Sequence, residues 1–316
     1  MQYIEGLNEY TETEKSAVTF GKFDGVHKGH QKLVEEVLRC CTNGNIKSVL
    51  CAFEMKKKDI LMTPDERRER MDGKIDYLVE CPFSDELRHM SAEDFIKKVI
   101  KGVFHAEYVV VGTDFHFGYG KEGDAHMLEA YAEKYHYKAI VVEKARFKHR
   151  EISSSFIKSL VKDGSITTAN YLLTYPYPVE GIVEHGKHLG SELGFPTCNV
   201  EWPAYKVLPP KGVYVSRVYI DGEVYGAISN IGVKPTVSDE NRVLIESYLY
   251  GYSGDAYGKN VKIELLEFRR PEHKFSSIKE MQVRVRQDIQ YVREYFEKEQ
   301  KEKQMNIITI FSLFGG

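Results

Sequence analysis

Two histidines three residues apart give the chain its first chemical signal. They lie in the stretch Gly21-Lys22-Phe23-Asp24-Gly25-Val26-His27-Lys28-Gly29-His30. Positions i and i+3 of a helical turn share a side, so His27 and His30 can present two imidazoles to one ligand. Such a pair can hydrogen-bond the oxygens of a reacting phosphate. The stretch follows a strand-like run, Ala17-Val18-Thr19-Phe20. It opens a helical pattern of Leu33, Val34, Val37, Leu38 and Cys41. A glycine-rich strand-to-helix turn offers backbone N–H groups and the positive helix end to an anion. Gly25 and Gly29 let a nucleotide approach the backbone. A helix cap with two surface histidines would account for the same residues taken alone.

Two further groups have chemical potential. Ser153-Ser154-Ser155 precedes a helical pattern carrying Lys158; alone it reads as a cap. In the second half, Gly186 and Gly190 can form a flexible loop over phosphates, and Thr197 and Asn199 sit on a Pro-containing turn. A hydroxyl and a carboxamide are hard oxygen donors suited to Mg²⁺, which takes few protein ligands. A hairpin turn rich in Gly and Pro is the bland equivalent.

The elements that must position these groups change character along the chain. Ser48–Phe53, Glu107–Gly112 and Ala139–Val142 join the first strand as near-continuous apolar runs between helical patterns. That texture predicts a parallel sheet buried on both faces. From Pro176 to about Phe268, short strand-like runs alternate with Gly, Pro, Asp and Asn turns, which predicts a small antiparallel barrel. A final helix over about 276–299 carries Ile278, Met281, Val285, Ile289, Val292 and Phe296 on one stripe. The expected division is 1–174, 175–300 and an apolar tail, 301–316.

The 316 residues suit two domains. A net charge of −3 favours neither nucleic acid nor an anionic membrane. Five cysteines without a CxxC pair suggest neither disulfides nor zinc. That cysteine usage points to a reducing cytoplasm; the polar start does not look like a signal peptide, and the longest apolar run is too short to span a bilayer. Oligomeric state is not legible.

At the level of motifs the chain resembles bacterial bifunctional riboflavin kinase/FMN adenylyltransferases, also called FAD synthetases. Residues 21–30 resemble the GNFDGxHxGH signature of HxGH nucleotidyltransferases. Gly112-Thr113-Asp114-Phe115-His116-Phe117-Gly118 with Gly123-Asp124 resembles GxDFxFG…GD, and 152–158 resembles ISSTxIR. Residues 194–199 resemble the riboflavin kinase GFPTxN. Leu208–Tyr214, Ser229–Thr236, Ile245–Ser247 with Gly254–Gly258, and Arg270–Phe275 continue the match to about Asp288. The resemblance implies a Rossmann-like α/β nucleotidyltransferase domain followed by an antiparallel Greek-key β-barrel with a C-terminal helix. It implies riboflavin, FMN and ATP as substrates, with Mg²⁺. Glu246, His27 and His30 are the implied catalytic residues. Gly21, Phe23, Asp24, Gly25, Gly29, Ser154, Ser155 and Lys158 are implied to bind nucleotide in the first half. Gly186, Lys187, Gly190, Phe195 and Pro196 are implied to do so in the second. Asp114, Phe115, Phe117, Asn230, Arg270 and Glu272 are implied to hold flavin, and Thr197 and Asn199 the metal.

The chain departs from the pattern at Lys22, Ser155 and Lys158, where Asn, Thr and Arg are usual. It also lacks a PHP segment after Phe53-Glu54. These departures raise a competing reading, a riboflavin kinase with a degenerate adenylyltransferase half; a second competitor of another class is a flavin-binding regulator that uses the barrel to sense FMN.

Overall fold

The protein is described by a computed structural model covering residues 1–42, 44–54, 58–184, 197–235 and 241–314. The chain divides into two compact units. The first comprises Met1–Lys158, Leu172–Thr174 and Tyr205–Val207; the second comprises Ser159–Tyr171, Tyr175–Ala204 and Leu208–Gly316.

In the first unit β1 (Gln2–Glu5), β2 (Ser16–Gly21), β3 (Lys47–Glu54), β4 (Tyr77–Pro82), β5 (Ala106–Gly112) and β6 (Lys138–Val142) form a six-stranded sheet. Every pairing is parallel, in the order β1-β4-β3-β2-β5-β6. Its faces bury two apolar sets. One centres on Phe20, Cys51, Phe95 and Phe104, the other on Ala17, Val37 and Val110. Each fully buried Phe or Val of these sets contributes about 1.5–3 kcal/mol. Burial on both faces is why the strands read as continuous apolar runs. Helix α1 (Lys28–Cys40) starts at His27, whose ring accepts the His30 N–H. Helix α2 (Pro64–Met71) starts at a capping box of Thr63 and Glu66, with Pro64 in its first turn. Helix α3 (Ala125–Tyr135) precedes β6. The strand order reverses at β2, which has β3 on one side and β5 on the other. In such sheets ligands bind beyond the strand C-termini at that reversal.

The chain continues through α4 (Ser154–Lys162) and α5 (Ile166–Leu173). The second unit contains β7 (Tyr177–Ile182), β8 (Cys198–Glu201), β9 (Gly212–Ile220), β10 (Glu223–Pro235), β11 (Asn241–Leu249) and β12 (Asn260–Pro271). They form an antiparallel sheet ordered β7-β12-β9-β10-β11-β8. Strands β9, β10 and β11 follow one another and β12 returns beside β9, which is a Greek key. A bridge between Glu184 and Asn199 brings the edge strands together, so the barrel nearly closes. Inside it, the hydroxyls of Ser216, Ser229 and Ser247 form a buried ladder with 2.6 Å steps.

Helix α6 runs Ile278–Phe314. It extends well past the 299 expected from the stripe, through the segment read as a separate tail. Val292 packs with Val215 and Leu266, and Phe296 lies over Gly226, where a Cβ would stand 2.7 Å from the ring. The front of the stripe is less covered, with Ile278 at 63% exposure. Among the described residues no helix is long and apolar enough to cross a membrane.

Candidate active sites

A cleft of about 1050 Å³ opens at the C-terminal end of the parallel sheet. Gly21 closes β2, Glu54 closes β3 and Gly112 closes β5, and all three line it. The turn after β2 is tightly wound. Phe23, Gly25 and Val26 have φ of 45°, 93° and 36°, and all three are buried. A buried valine at positive φ is an outlier that persists only when its surroundings impose it. Those surroundings are visible. Asp24 Oδ1 accepts the N–H groups of Leu61 (2.7 Å) and Met62 (3.2 Å), and the Ser154 hydroxyl donates to the Asp24 carbonyl at 2.7 Å. A side chain at Gly25 would press on Leu61 and Leu173.

The turn delivers the histidine pair. The rings of His27 and His30 stack at 3.7 Å, 16° from parallel. His27 Nδ1 accepts the His30 N–H at 3.4 Å, which leaves the ring proton on Nε2. Burial pushes His27 down to about 4, against a smaller upward pull from Asp24. Burial also holds His30 well below the usual histidine value, helped by His27 and by the Arg67 charge. Both rings are therefore neutral near pH 7. They can donate a hydrogen bond to an anion but bring no full positive charge.

The other residues singled out in this half gather at the same cleft. Gly29, Ser154, Ser155, Lys158, Asp114, Phe115 and Phe117 all line it. Their partners differ in kind. Lys158 pairs with Asp24 Oδ2 at 2.5 Å, and Asp114 pairs with Lys144 at 3.0 Å. Ser153 caps α4 through the Phe156 N–H, while Ser155 is exposed. Phe20, Phe53, Phe95, Phe115 and Phe117 form a run of ring contacts at 5.4–6.3 Å. Such a wall suits a flat aromatic ligand. Sequence reasoning named only Phe115 and Phe117 of this wall. It also missed Arg67 and Glu80. Arg67 carried no signal within the charged helical run Arg67-Arg68-Glu69-Arg70, but Glu80 inside the apolar strand Tyr77–Pro82 did.

In the barrel, register does the gathering. Asn199 on β8 pairs with Glu246 on β11, which pairs with Asn230 on β10. Asn230 pairs with Val213, and Val213 with Arg270 on β12. Residues in register across a sheet share a face and lie about 5 Å apart. Asn199, Glu246 and Asn230 are thus successive members of one row, which Val213 continues to Arg270. Asn199 is buried and its Nδ2 donates to the Thr197 carbonyl at 3.4 Å. Arg270 is fixed by Asp288 through Nε (3.0 Å) and Nη2 (2.7 Å). A Cβ at Gly232 would collide with Glu272 Oε1 and crowd Asn230 Nδ2, so Glu272 also reaches the row. Gly186, Lys187, Gly190, Phe195 and Pro196 lie outside the described residues.

The family profile for FAD synthetase matches residues 9–156, and that for riboflavin kinase matches 173–296. A bifunctional riboflavin kinase/FMN adenylyltransferase of Bacillus subtilis (strain 168) is 33% identical, over 90% of this chain and 94% of its own. The chain belongs to the bifunctional riboflavin kinase/FMN adenylyltransferase family. The family member of Escherichia coli (strain K12) is 30% identical, over 94% of this chain and 98% of its own. A crystal structure named as a macrolide-efflux protein from Streptococcus pneumoniae superposes with a TM-score of 0.84 at 26% identity. That match covers 92% of this chain and 98% of the other. Both halves of the family's architecture are therefore present, the parallel-sheet unit and the nearly closed barrel.

Proposed function

We infer that the chain makes FAD in two steps, with the barrel phosphorylating riboflavin and the parallel-sheet unit adenylylating the FMN. The family membership of both halves carries the pair of activities. The residue roles rest on the geometry above.

In the kinase step the riboflavin 5′-hydroxyl attacks the γ-phosphorus of ATP, and ADP leaves. Glu246 takes the hydroxyl proton as general base. Its place in a row with Asn199 and Asn230 supports that role. Arg270, locked by Asp288, and Glu272 hold the flavin. The donor set suits Mg²⁺, since a buried carboxamide beside a half-buried carboxylate offers hard oxygens without a complete protein cage. Thr197 and Asn199 would hold the ion, which supplies charge neutralisation to the ATP phosphates.

In the adenylyl step an FMN phosphate oxygen attacks the α-phosphorus of ATP, and pyrophosphate leaves. Negative charge grows on the α-phosphate oxygens, and fixed donors around them lower the barrier. His27 through Nε2–H, together with His30 and the α1 N-terminus, supplies those donors. Ser155 and Lys158 bind the departing phosphates, with Lys158 shared between them and Asp24. The aromatic wall holds the flavin ring. The stacked, neutral histidine pair, with His27 buried and His30 half-buried, is the observation that most favours a working adenylyl site over a degenerate one. We place the enzyme in the cytoplasm, where its free cysteines would persist and ATP is at hand.

One assay tests the reading. Protein, riboflavin and MgATP are incubated and the flavins separated. FMN and then FAD should accumulate. FMN alone would leave only the kinase, and unchanged riboflavin bound tightly would favour a regulator.

A further inference from the structure

Arg67 lies on α2, outside every motif that drew attention to the cleft. It is 5% exposed and grips Glu80 of β4, 4% exposed, in a fork: Nε to Oε1 at 2.6 Å and Nη2 to Oε2 at 2.9 Å. The third nitrogen, Nη1, turns the other way. It donates to the carbonyls of Lys22 (3.3 Å) and Phe23 (3.5 Å). Those carbonyls belong to the left-handed turn that ends in His27. Arg67 joins the Val26 N–H (3.3 Å) on the Phe23 carbonyl, so it braces a turn that already holds Phe23 and Val26 at positive φ. The ion pair thus ties α2 and β4 to the backbone that aims the histidines. A lysine could not reproduce it, because a point charge lacks the planar fork.

We propose that Arg67, oriented by Glu80, is a positioning residue for adenylyl transfer that holds the turn carrying His27 and His30 in register with the reacting phosphate. This rests on the reading of the adenylyl site given above. Arg67 acts through the turn, so its loss should lower kcat far more than it raises KM. A displacement near 1 Å costs on the order of a hundredfold in rate.

The test uses the full chain, with FAD formation from FMN and MgATP as readout. Replacing Arg67 alone with an apolar residue would strand a buried carboxylate and threaten folding. The main variant is therefore the double substitution Arg67→Met with Glu80→Met, which removes both charges. It should fold and still convert riboflavin to FMN, with kcat for FAD about a hundredfold lower and KM for ATP within about threefold. Nitrogen NMR should show that His27 no longer keeps its proton on Nε2 alone. A folded double variant with kcat within about twofold of wild type, or with the His27 tautomer unchanged, overturns the proposal. If the double variant does not fold, Arg67→Lys decides. It keeps the charge pair and should lose about tenfold in kcat, and an unchanged kcat overturns the proposal. His30→Ala is run beside them. If that variant still makes FAD, the site reading itself falls, independently of Arg67.

Discussion

The two sites are built by opposite means. In the parallel-sheet unit, one strained turn is held by tertiary contacts from well-separated segments: Leu61 and Met62, Arg67, and Ser154. In the barrel, the row of Asn199, Glu246, Asn230 and Arg270 is placed by neighbouring strands pairing in register, with Asp288 of α6 further holding the Arg270 side chain. The first is a point assembly, where each tie adds precision and each can fail separately. The second is a lattice, where the sheet's hydrogen bonds place every member together. A turn should therefore be sensitive to single buried contacts. A lattice should tolerate most changes except those that remove the reacting group.

The sharpest break is His30→Ala. It removes a fixed donor and one ring of the stack, and FAD formation should fall by at least about a thousandfold, the scale of a lost transition-state donor. FMN formation should stay near wild type. Separating flavins from one incubation reads both activities, and loss of both in a folded variant would mean that the sites depend on each other.

Glu246→Gln is the lattice counterpart. It keeps shape and register, so FMN formation should drop by roughly a hundredfold as a general base is lost. FAD formation from supplied FMN should be unchanged. Near-normal kinase turnover would remove Glu246 from the chemistry.

How much of this was legible beforehand follows the same contrast. Apolar runs announced β2, β3, β5 and β6, because burial on both faces leaves a continuous signature. Motif residues announced the histidines and Glu246. Strand β4 was not singled out, and its Glu80 looks like an error in a core strand until Arg67 is seen beside it. Arg67 sits among charges that, in sequence, are identical to a solvated helix face. The barrel row was also hidden, since register depends on turns and bulges, such as those between Val213/Tyr214 and Val215/Ser216. The length of α6 was underestimated because the stripe ends at Phe296 while the helix, once started, runs on to Phe314.

Acid should expose the turn's weakness more gently. His27 titrates near 4 when folded and near 6.5 when unfolded. Its folded value is the lower, so the unfolded chain binds more protons below pH 6.5, and stability falls as pH drops through that window. Above pH 6.5 the group has no effect. The loss reaches about 3 kcal/mol by pH 4, and His30 acts in the same direction. Asp24 and Asp114 face His27 and oppose the shift. His27→Asn keeps a capping side chain and should lose less stability between pH 7 and pH 4.5. Urea unfolding followed by circular dichroism reads this. The single tryptophan, Trp202, lies in the barrel unit and serves as the internal control. Equal acid sensitivity in both proteins would contradict the assignment.

The smallest effect is expected from Lys158→Arg. A guanidinium can keep Asp24 and still offer a fork to phosphate. FAD formation should hold or rise by no more than about threefold, and a steep fall would show that the compact ammonium at 2.5 Å from Asp24 is itself required.

The interleaving of the units has a consequence for anyone who wishes to take the protein apart. Residues 159–171 belong with the barrel, yet the later segments 172–174 and 205–207 belong with the parallel-sheet unit. A gene cut after codon 158 deprives the first product of both later segments. A cut after 174 gives it residues 159–171, which the barrel then lacks, and a cut after 207 hands over β7 and β8 as well. Lys206, 3% exposed and paired with Glu66 of α2, shows that the returning segment is embedded in its unit. Point substitutions are expected to separate the two chemistries, whereas no single cut in the polypeptide leaves both units whole. Two products that each keep a whole unit would need the chain to be re-threaded first.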